Sequence, residues 1–427
     1  LRMISNEKIL DGYYQDFSFQ QPPLYTLSMY IVKPFIPNYY MGFGIYCFIQ
    51  IIMMVGMFTY FAYWLLKKNV SSFIVTLIII FCGTFRLYPL YGVSLWKDTT
   101  FSIAFFLYCL IYIDIVIDII KGKIQLKNIV LFSMFSVFTV FLRNNAKYIL
   151  VACLIALIFL DSKKMCHNIR EGKNNNYRLL ITSQLLIIVF SIAIPPIVRL
   201  SLQVEKEHFA ENIAIPIQQV ARVVCVDGRI TEEQKKLIEK VLPFDNIKKD
   251  YRALIVDPIK WDSKFDNKYL ENHKLDFLKL WVSLFFRNPR EYMQAYLLQT
   301  SGFWSFNVCS LREGYHSAIN FESLNDKVQI KNVINDKYGI NIQESMLALN
   351  KYSGGLFFWI YLASMLVSWR VNSKKYIICF LPAFFLWGTI MIATPMGQSL
   401  RYVYILVLML PLDFVLPSII SDVDLKE

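Results

Sequence analysis

Eight charged residues, Asp11, Asp16, Arg86, Lys97, Asp98, Arg143, Lys147 and Arg401, lie within or beside long apolar runs. An ionisable group at membrane depth is costly and needs a reason. Carboxylates together with several cations suit a reaction between a hydroxyl and a phosphate-linked group. Arginine grips phosphate oxygens with a planar fork, and lysine supplies a point charge. A carboxylate can take the proton from an attacking hydroxyl. Asp11 and Asp16 are the candidates for that base. Arg86, Lys97, Asp98, Arg143, Lys147 and Arg401 are the candidates for holding the phosphate. The phosphate would leave as a stable anion, so cations that hold developing charge matter more than a strong acid. Each residue also has a plain structural reading. Lys97 and Asp98 in LWKDTTF can pair and cap a helix. Arg143 and Lys147 can snorkel to the interface. Arg401 can anchor there with Tyr402 and Tyr404. Asp11 and Asp16 can be solvated loop residues. Arg86, deeper in GTFRLYPLYG, is the hardest to dismiss.

The elements that must position these residues are membrane helices. Of 427 residues, 56% are hydrophobic and 18% charged. A soluble chain is nearer half apolar and a quarter charged. The fold class is therefore an all-α polytopic membrane protein. Apolar runs place nine spans at 41–66, 73–91, 99–118, 128–142, 147–161, 179–200, 353–369, 376–393 and 401–418. The fourth and fifth are short and can pair as a hairpin around Arg143 to Lys147. Residues 22–35 read as an embedded helix, with Pro22 and Pro23 at its start. This gives a loop with a juxtamembrane helix over 1–40, a bundle of about six spans over 41–200, a soluble domain over 201–350 and about three spans over 351–427.

The net charge of +12 sits mostly in short loops, not on a nucleic-acid-binding face. One set of loops holds Lys67 and Lys68; Lys121, Lys123 and Lys127; Lys163, Lys164, Arg170, Lys173 and Arg178; and Arg370, Lys374 and Lys375. The alternate set holds only Lys97, Arg143, Lys147 and Arg401. The positive-inside rule puts the first set in the cytoplasm. The N-terminal stretch, the 92–98 loop, the 143–147 turn, the 394–401 loop and the 201–350 insert are then expected outside. An outward N-terminal stretch needs a helix to carry it across, so a first span is expected ahead of Leu1.

Within the insert, Thr231-Glu232-Glu233-Gln234 has capping-box spacing before a helix ending near Pro243. Asn288-Pro289-Arg290-Glu291 reads as an N-cap followed by proline at the first helical position. The runs LDFLKLWVSLFF and YMQAYLLQTSGFW are aromatic and amphipathic. They suit either the lipid interface or the insert's own core. Eight cysteines show no CxxC pair. Four scattered histidines form no HExxH, and the chain contains neither GxxxxGK[ST] nor GxGxxG. Any cofactor is therefore unassigned; a metal ion fits the chemistry, but no metal motif is present.

The stretches QQPPLYTL, SLWKDTTF, FLRNNAKYI, NPREYMQAYLLQTSGFW and TP…LRYVYILVLMLPL together resemble a bacterial multi-pass membrane family within or near the C-type (GT-C) glycosyltransferases. Those enzymes use polyprenyl-phosphate sugars. The resemblance covers nearly the whole chain. It implies an outward cavity beneath a first loop that carries a catalytic aspartate close behind the first span. It also implies a histidine before the double proline. Gln21 stands there instead, so no role tied to that histidine carries over. Gln21 and Tyr402 are assigned to the acceptor side or the loop.

The resulting expectation is a membrane glycosyltransferase. It would move a sugar from a polyprenyl phosphate to a cell-surface glycan on the outer face of the bacterial cell membrane. Its partners would be the bilayer, the lipid-linked sugar and the glycan, with no nucleic acid. The alternatives are a glycan polymerase or ligase using lipid-diphosphate donors, which would rely on arginines, and a lipid-linked-glycan transporter. A transporter would be expected to show internal repeats, and none is visible. A membrane acyltransferase would call for an intramembrane histidine, which is also missing.

Overall fold

The computed structural model describes residues 39–94, 96–160, 175–202, 208–306, 352–394, 396–397 and 399–424, together with Leu24. Asp11, Asp16 and Gln21 lie outside the described residues, as does most of the expected 22–35 helix. The protein is an all-α polytopic membrane protein. Its described residues contain no strand, only isolated bridges of Ile255 to Arg252 and to Met396. Among the described residues, six helices are long and apolar enough to cross a bilayer: Gly44–Lys67, Lys97–Ile120, Asn175–Ile197, Gly354–Val371, Lys374–Ala393 and Leu400–Asp424.

Contacts divide the chain into two compact units. The first takes described residues from 1–205, 359–386 and 401–427. Its helices are α1 (Tyr39–Lys67), α2 (Ser72–Thr84), α3 (Leu87–Gly92), α4 (Lys97–Ile120), α5 (Leu126–Leu142), α6 (Ala146–Leu160) and α7 (Asn175–Leu202). Part of α16 (Gly354–Val371), part of α17 (Leu381–Ala393) and α18 (Tyr404–Asp424) complete it. Two short 3-10 helices, Lys374–Phe380 and Leu400–Val403, lead into α17 and α18.

Three of the nine expected spans are shorter than a crossing requires. The 73–91 run is not one helix. It breaks at Phe85, whose backbone is extended, into α2 of 13 residues and α3 of 6. The hydropathy of the run is continuous, but Phe85 leaves the helical region and Arg86 starts a new turn. Helices α5 and α6, of 17 and 15 residues, form the short hairpin around residues 143–145.

Helix α4 is the axis of this unit. Of its 24 residues, 21 are buried. A helix apolar on every side belongs inside a bundle, and α1, α5, α6 and α18 pack around it. Helix α18 carries Pro411 and Pro417 in its interior. Proline has no N–H, so the carbonyl four residues earlier loses its helical donor. Side chains from other helices fill both places. The Tyr88 hydroxyl donates to the Val407 carbonyl at 3.0 Å, and Ser364 Oγ donates to the Asp413 carbonyl at 2.5 Å. In an apolar medium a freed carbonyl needs such a partner.

Different loops gather at the two ends of α4. Loops 92–98 and 143–147 meet Arg401 at the N-terminal end of α4. At its other end Lys68 pairs with Asp114 at 2.6 Å, and Asn176 Nδ2 donates to the Ile124 carbonyl at 2.8 Å.

The second unit takes described residues from 206–358 and 387–400. Its helices are α8 (Phe209–Asn212), α9 (Ala214–Cys225), α10 (Glu232–Val241), α11 (Phe244–Asp250), α12 (Asp257–Lys260), α13 (Asn267–Asn272), α14 (Lys274–Arg287) and α15 (Pro289–Thr300). Its core gathers Ile217, Val220, Val224, Ile238, Leu280 and Leu284. The capping box is formed: Thr231 Oγ1 accepts from the Gln234 amide, and Gln234 Oε1 accepts from the Thr231 amide. Asn288 sits at the N-cap of α15 but makes no side-chain cap. Its amide instead grips Arg229, accepting from the backbone N–H at 2.7 Å and donating to the carbonyl at 2.9 Å.

The 394–400 loop belongs to this unit. Gln299 Nε2 donates to the Thr394 carbonyl, and the Gly302 amide donates to the Gly397 carbonyl. A Cβ on Gly397 would lie 2.0 Å from the Gln299 carbonyl oxygen, so the close approach requires glycine.

Candidate functional site

Asp98 lies in the first turn of α4 and is 3% exposed. An acid there is favoured by the helix dipole. It faces two arginines from distant parts of the chain. Arg143 Nη1 lies 3.5 Å from one carboxylate oxygen, and Arg401 Nε lies 3.9 Å from the other. Arg143 is delivered by the α5–α6 turn. Arg401 is delivered by the 3-10 turn ahead of α18. Residue Lys97 stands next to Asp98 in sequence, yet Asp98 is bridged by the two arginines.

Tyr402 ties the two arginines together. Its carbonyl accepts from Arg143 Nη1 at 3.3 Å, and its hydroxyl accepts from Arg401 Nη2 at 2.8 Å. Aromatic rings support both guanidiniums. Arg143 lies 5.1 Å from the Phe101 ring centroid. Arg401 lies 4.8 Å from that of Trp96 and 4.7 Å from that of Tyr402. Such stacking holds a planar cation in place and leaves its edge N–H groups free to bond. Arg401 Nε is buried without a hydrogen-bond acceptor in the structure. Tyr91 stacks on Tyr404 at 4.1 Å and meets Trp96 edge-on, closing the wall behind Arg401.

The loop that presents Asp98 is fixed by Gln50 of α1, a residue 1% exposed. Its Nε2 lies within 3.1 Å of the carbonyls of Tyr91, Gly92 and Ser94. An amide nitrogen carries only two hydrogens, so the three acceptors share them. Its Oε1 accepts from Thr100 Oγ1 at 3.0 Å. Both faces of the amide are thus spent on holding the entry to α4.

The chemistry of the arrangement suits an anion. Two guanidiniums on a single carboxylate leave net positive charge, and part of each arginine still reaches solvent, at 12% and 27% exposure. Asp98, expected among the phosphate-holding residues, is placed between the two arginines rather than presenting a donor of its own. It is the counter-ion that positions Arg143 and Arg401.

Two expected members are not part of the cluster. Arg86 is exposed at the N-cap of α3 and makes no ion pair in the described structure. It no longer lies inside a helix that spans, because the helix breaks there. Lys147 directs its ammonium over Tyr148, 5.3 Å from the ring centroid. Lys97, half-buried, opens α4 beside Asp98. Among the described residues no three His, Cys, Asp or Glu side chains converge as a metal site.

A family model covers residues 21–420, and with them every residue of this cluster. The chain belongs to DUF6020, a family of unknown function. No curated protein and no solved structure matches this DUF6020 chain. Gln50, Trp96 and Phe101 are the members of the site that sequence reading passed over. Gln50 had a signal, a lone amide in the run CFIQIIMMV. The two aromatics had none, because aromatic residues make up 16% of the chain.

Proposed function

We propose that this DUF6020 protein is a membrane glycosyltransferase whose Arg143–Asp98–Arg401 cluster holds the phosphate of a polyprenyl-phosphate sugar. The observation that carries the reading is the pair of ring-stacked arginines sharing one buried carboxylate at the end of the central span. That end is where a lipid-linked anion presents its headgroup. The same end gathers the loops poor in lysine and arginine, which the positive-inside rule puts outside. The donor would therefore be met on the outer face of the cell membrane, and the acceptor would be a cell-surface glycan.

In the proposed step the acceptor O–H attacks the anomeric carbon. The new C–O bond forms as the C–O bond to phosphate breaks, and the phosphate departs with the electron pair. Arg143 and Arg401 hold the charge that develops on it. The acceptor proton goes to a carboxylate. Both carboxylate oxygens of Asp98 already face an arginine, so that role stays with Asp11 or Asp16. Two guanidiniums also fit a diphosphate, which keeps a lipid-diphosphate polymerase or ligase as the second reading.

The test uses the full chain in detergent micelles with polyprenyl phosphate and polyprenol as probes, read by native mass spectrometry. Transfer from a polyprenyl-phosphate hexose is then followed in proteoliposomes. The phosphate should be retained and the alcohol not. Arg143→Ala and Arg401→Ala should each lose roughly a hundredfold in transfer while still inserting. Equal retention of alcohol and phosphate would overturn the phosphate site. Tighter retention of the diphosphate than the monophosphate would favour the second reading.

A further inference from the structure

We propose that the outer face of α14 in the second unit lies against the headgroup layer of the bilayer, with anionic phospholipid as its partner. The argument begins with the helix itself. Phe277, Leu280 and Leu284 form one stripe, and all three are buried in the unit's core. A surface helix normally carries polar residues opposite such a stripe. On α14 the opposite side is apolar as well. Leu275, Val282 and Phe286, spaced i, i+7 and i+11, are 71%, 45% and 77% exposed. Those offsets bring the three side chains within a narrow arc at 3.6 residues per turn. Met293 and Leu297, one turn apart on α15, are also exposed.

Charge and connectivity choose the occupant. Over residues 274–291 the chain places Lys274, Lys279, Arg287 and Arg290 against only Asp276 and Glu291. Lys279, Arg287 and Arg290 are exposed. An apolar face with a basic rim is the pattern of a helix lying in a membrane interface, where anionic headgroups meet the cations. Both ends of the unit's main segment continue into candidate spans, α7 before it and α16 after it. A helix tethered twice to the membrane meets lipid at high local concentration. The inference does not depend on the reaction proposed above.

The full-length protein in nanodiscs provides the test. p-Benzoylphenylalanine replaces Phe286 in one variant and Leu275 in another, and Glu239, exposed on α10, serves as the control. After irradiation, mass spectrometry should find phospholipid adducts at positions 286 and 275 and none at 239. The yield should fall when phosphatidylglycerol in the disc is replaced by phosphatidylcholine. Adducts to another part of the chain or to a second copy would overturn the proposal. So would the absence of any adduct at both positions.

Discussion

Asp98→Asn removes the charge between two guanidiniums while keeping the size of the side chain. At 3.5 Å and an effective dielectric of about 20, opposite unit charges attract by about 5 kcal/mol. The measurable coupling is smaller. The Arg143–Asp98 contact is an ion pair rather than a short hydrogen bond, Arg401 partly compensates when Arg143 is removed, and the two arginines repel each other. A coupling of about 2 kcal/mol between Asp98 and Arg143 is expected, within the range seen for close charge pairs. A double-mutant cycle isolates it: Asp98→Asn, Arg143→Met and the double variant, each unfolded by sodium dodecyl sulfate in mixed micelles. Asp98→Asn alone should cost about 3 kcal/mol, because two partly buried cations lose their buried counter-ion. The double variant should be more stable than the sum of the single effects implies. A coupling below about 0.5 kcal/mol would mean that the arginines do not depend on Asp98, and the positioning role would fall.

Three further outcomes are expected. Ser364→Ala should lower stability in the same unfolding assay by about 1–3 kcal/mol, since the Asp413 carbonyl freed by Pro417 would lose its donor; an unchanged midpoint would show that another group replaces it. Gln50→Leu should cost a similar amount and weaken retention of polyprenyl phosphate, because the loop before Asp98 loses its anchor; normal retention would separate the loop from the site. Lys260, 5% exposed, pairs with Glu211 at 2.6 Å and Asp257 at 3.0 Å in the second unit. Burial pushes its ammonium down, but Asp257 and Glu211 together push it further up, for a net rise. A raised lysine stabilises the fold fully below its unfolded value of about 10.4 and loses that contribution as the pH climbs through the folded value. Lys260→Met should therefore cost about 2–3 kcal/mol at neutral pH, and the gap to wild type should close only in strong alkali; a gap that closes on acidification would refute the assignment.

The sequence by itself determined that this is a helical membrane protein, because runs of apolar residues have few other places to go. It also carries an expectation of which loops share a side, drawn from lysine and arginine counts alone. The contacts at the two ends of α4 agree with that sorting. The Thr231 capping box was legible for the same reason: it is a local motif complete within four residues. What spacing could not show was the break at Phe85, because hydropathy does not register a backbone that turns within an apolar run. Nor could it show that Asp98 would take Arg143 and Arg401 as partners, 45 and 303 positions away, and leave Arg86 and Lys147 out. Those choices depend on the packing of α4 against α5, α6 and α18, which fixes where each loop ends in space. The outward apolar stripe of α14 was half visible. Its periodicity is in the sequence, but two apolar sides look alike until the core claims one of them.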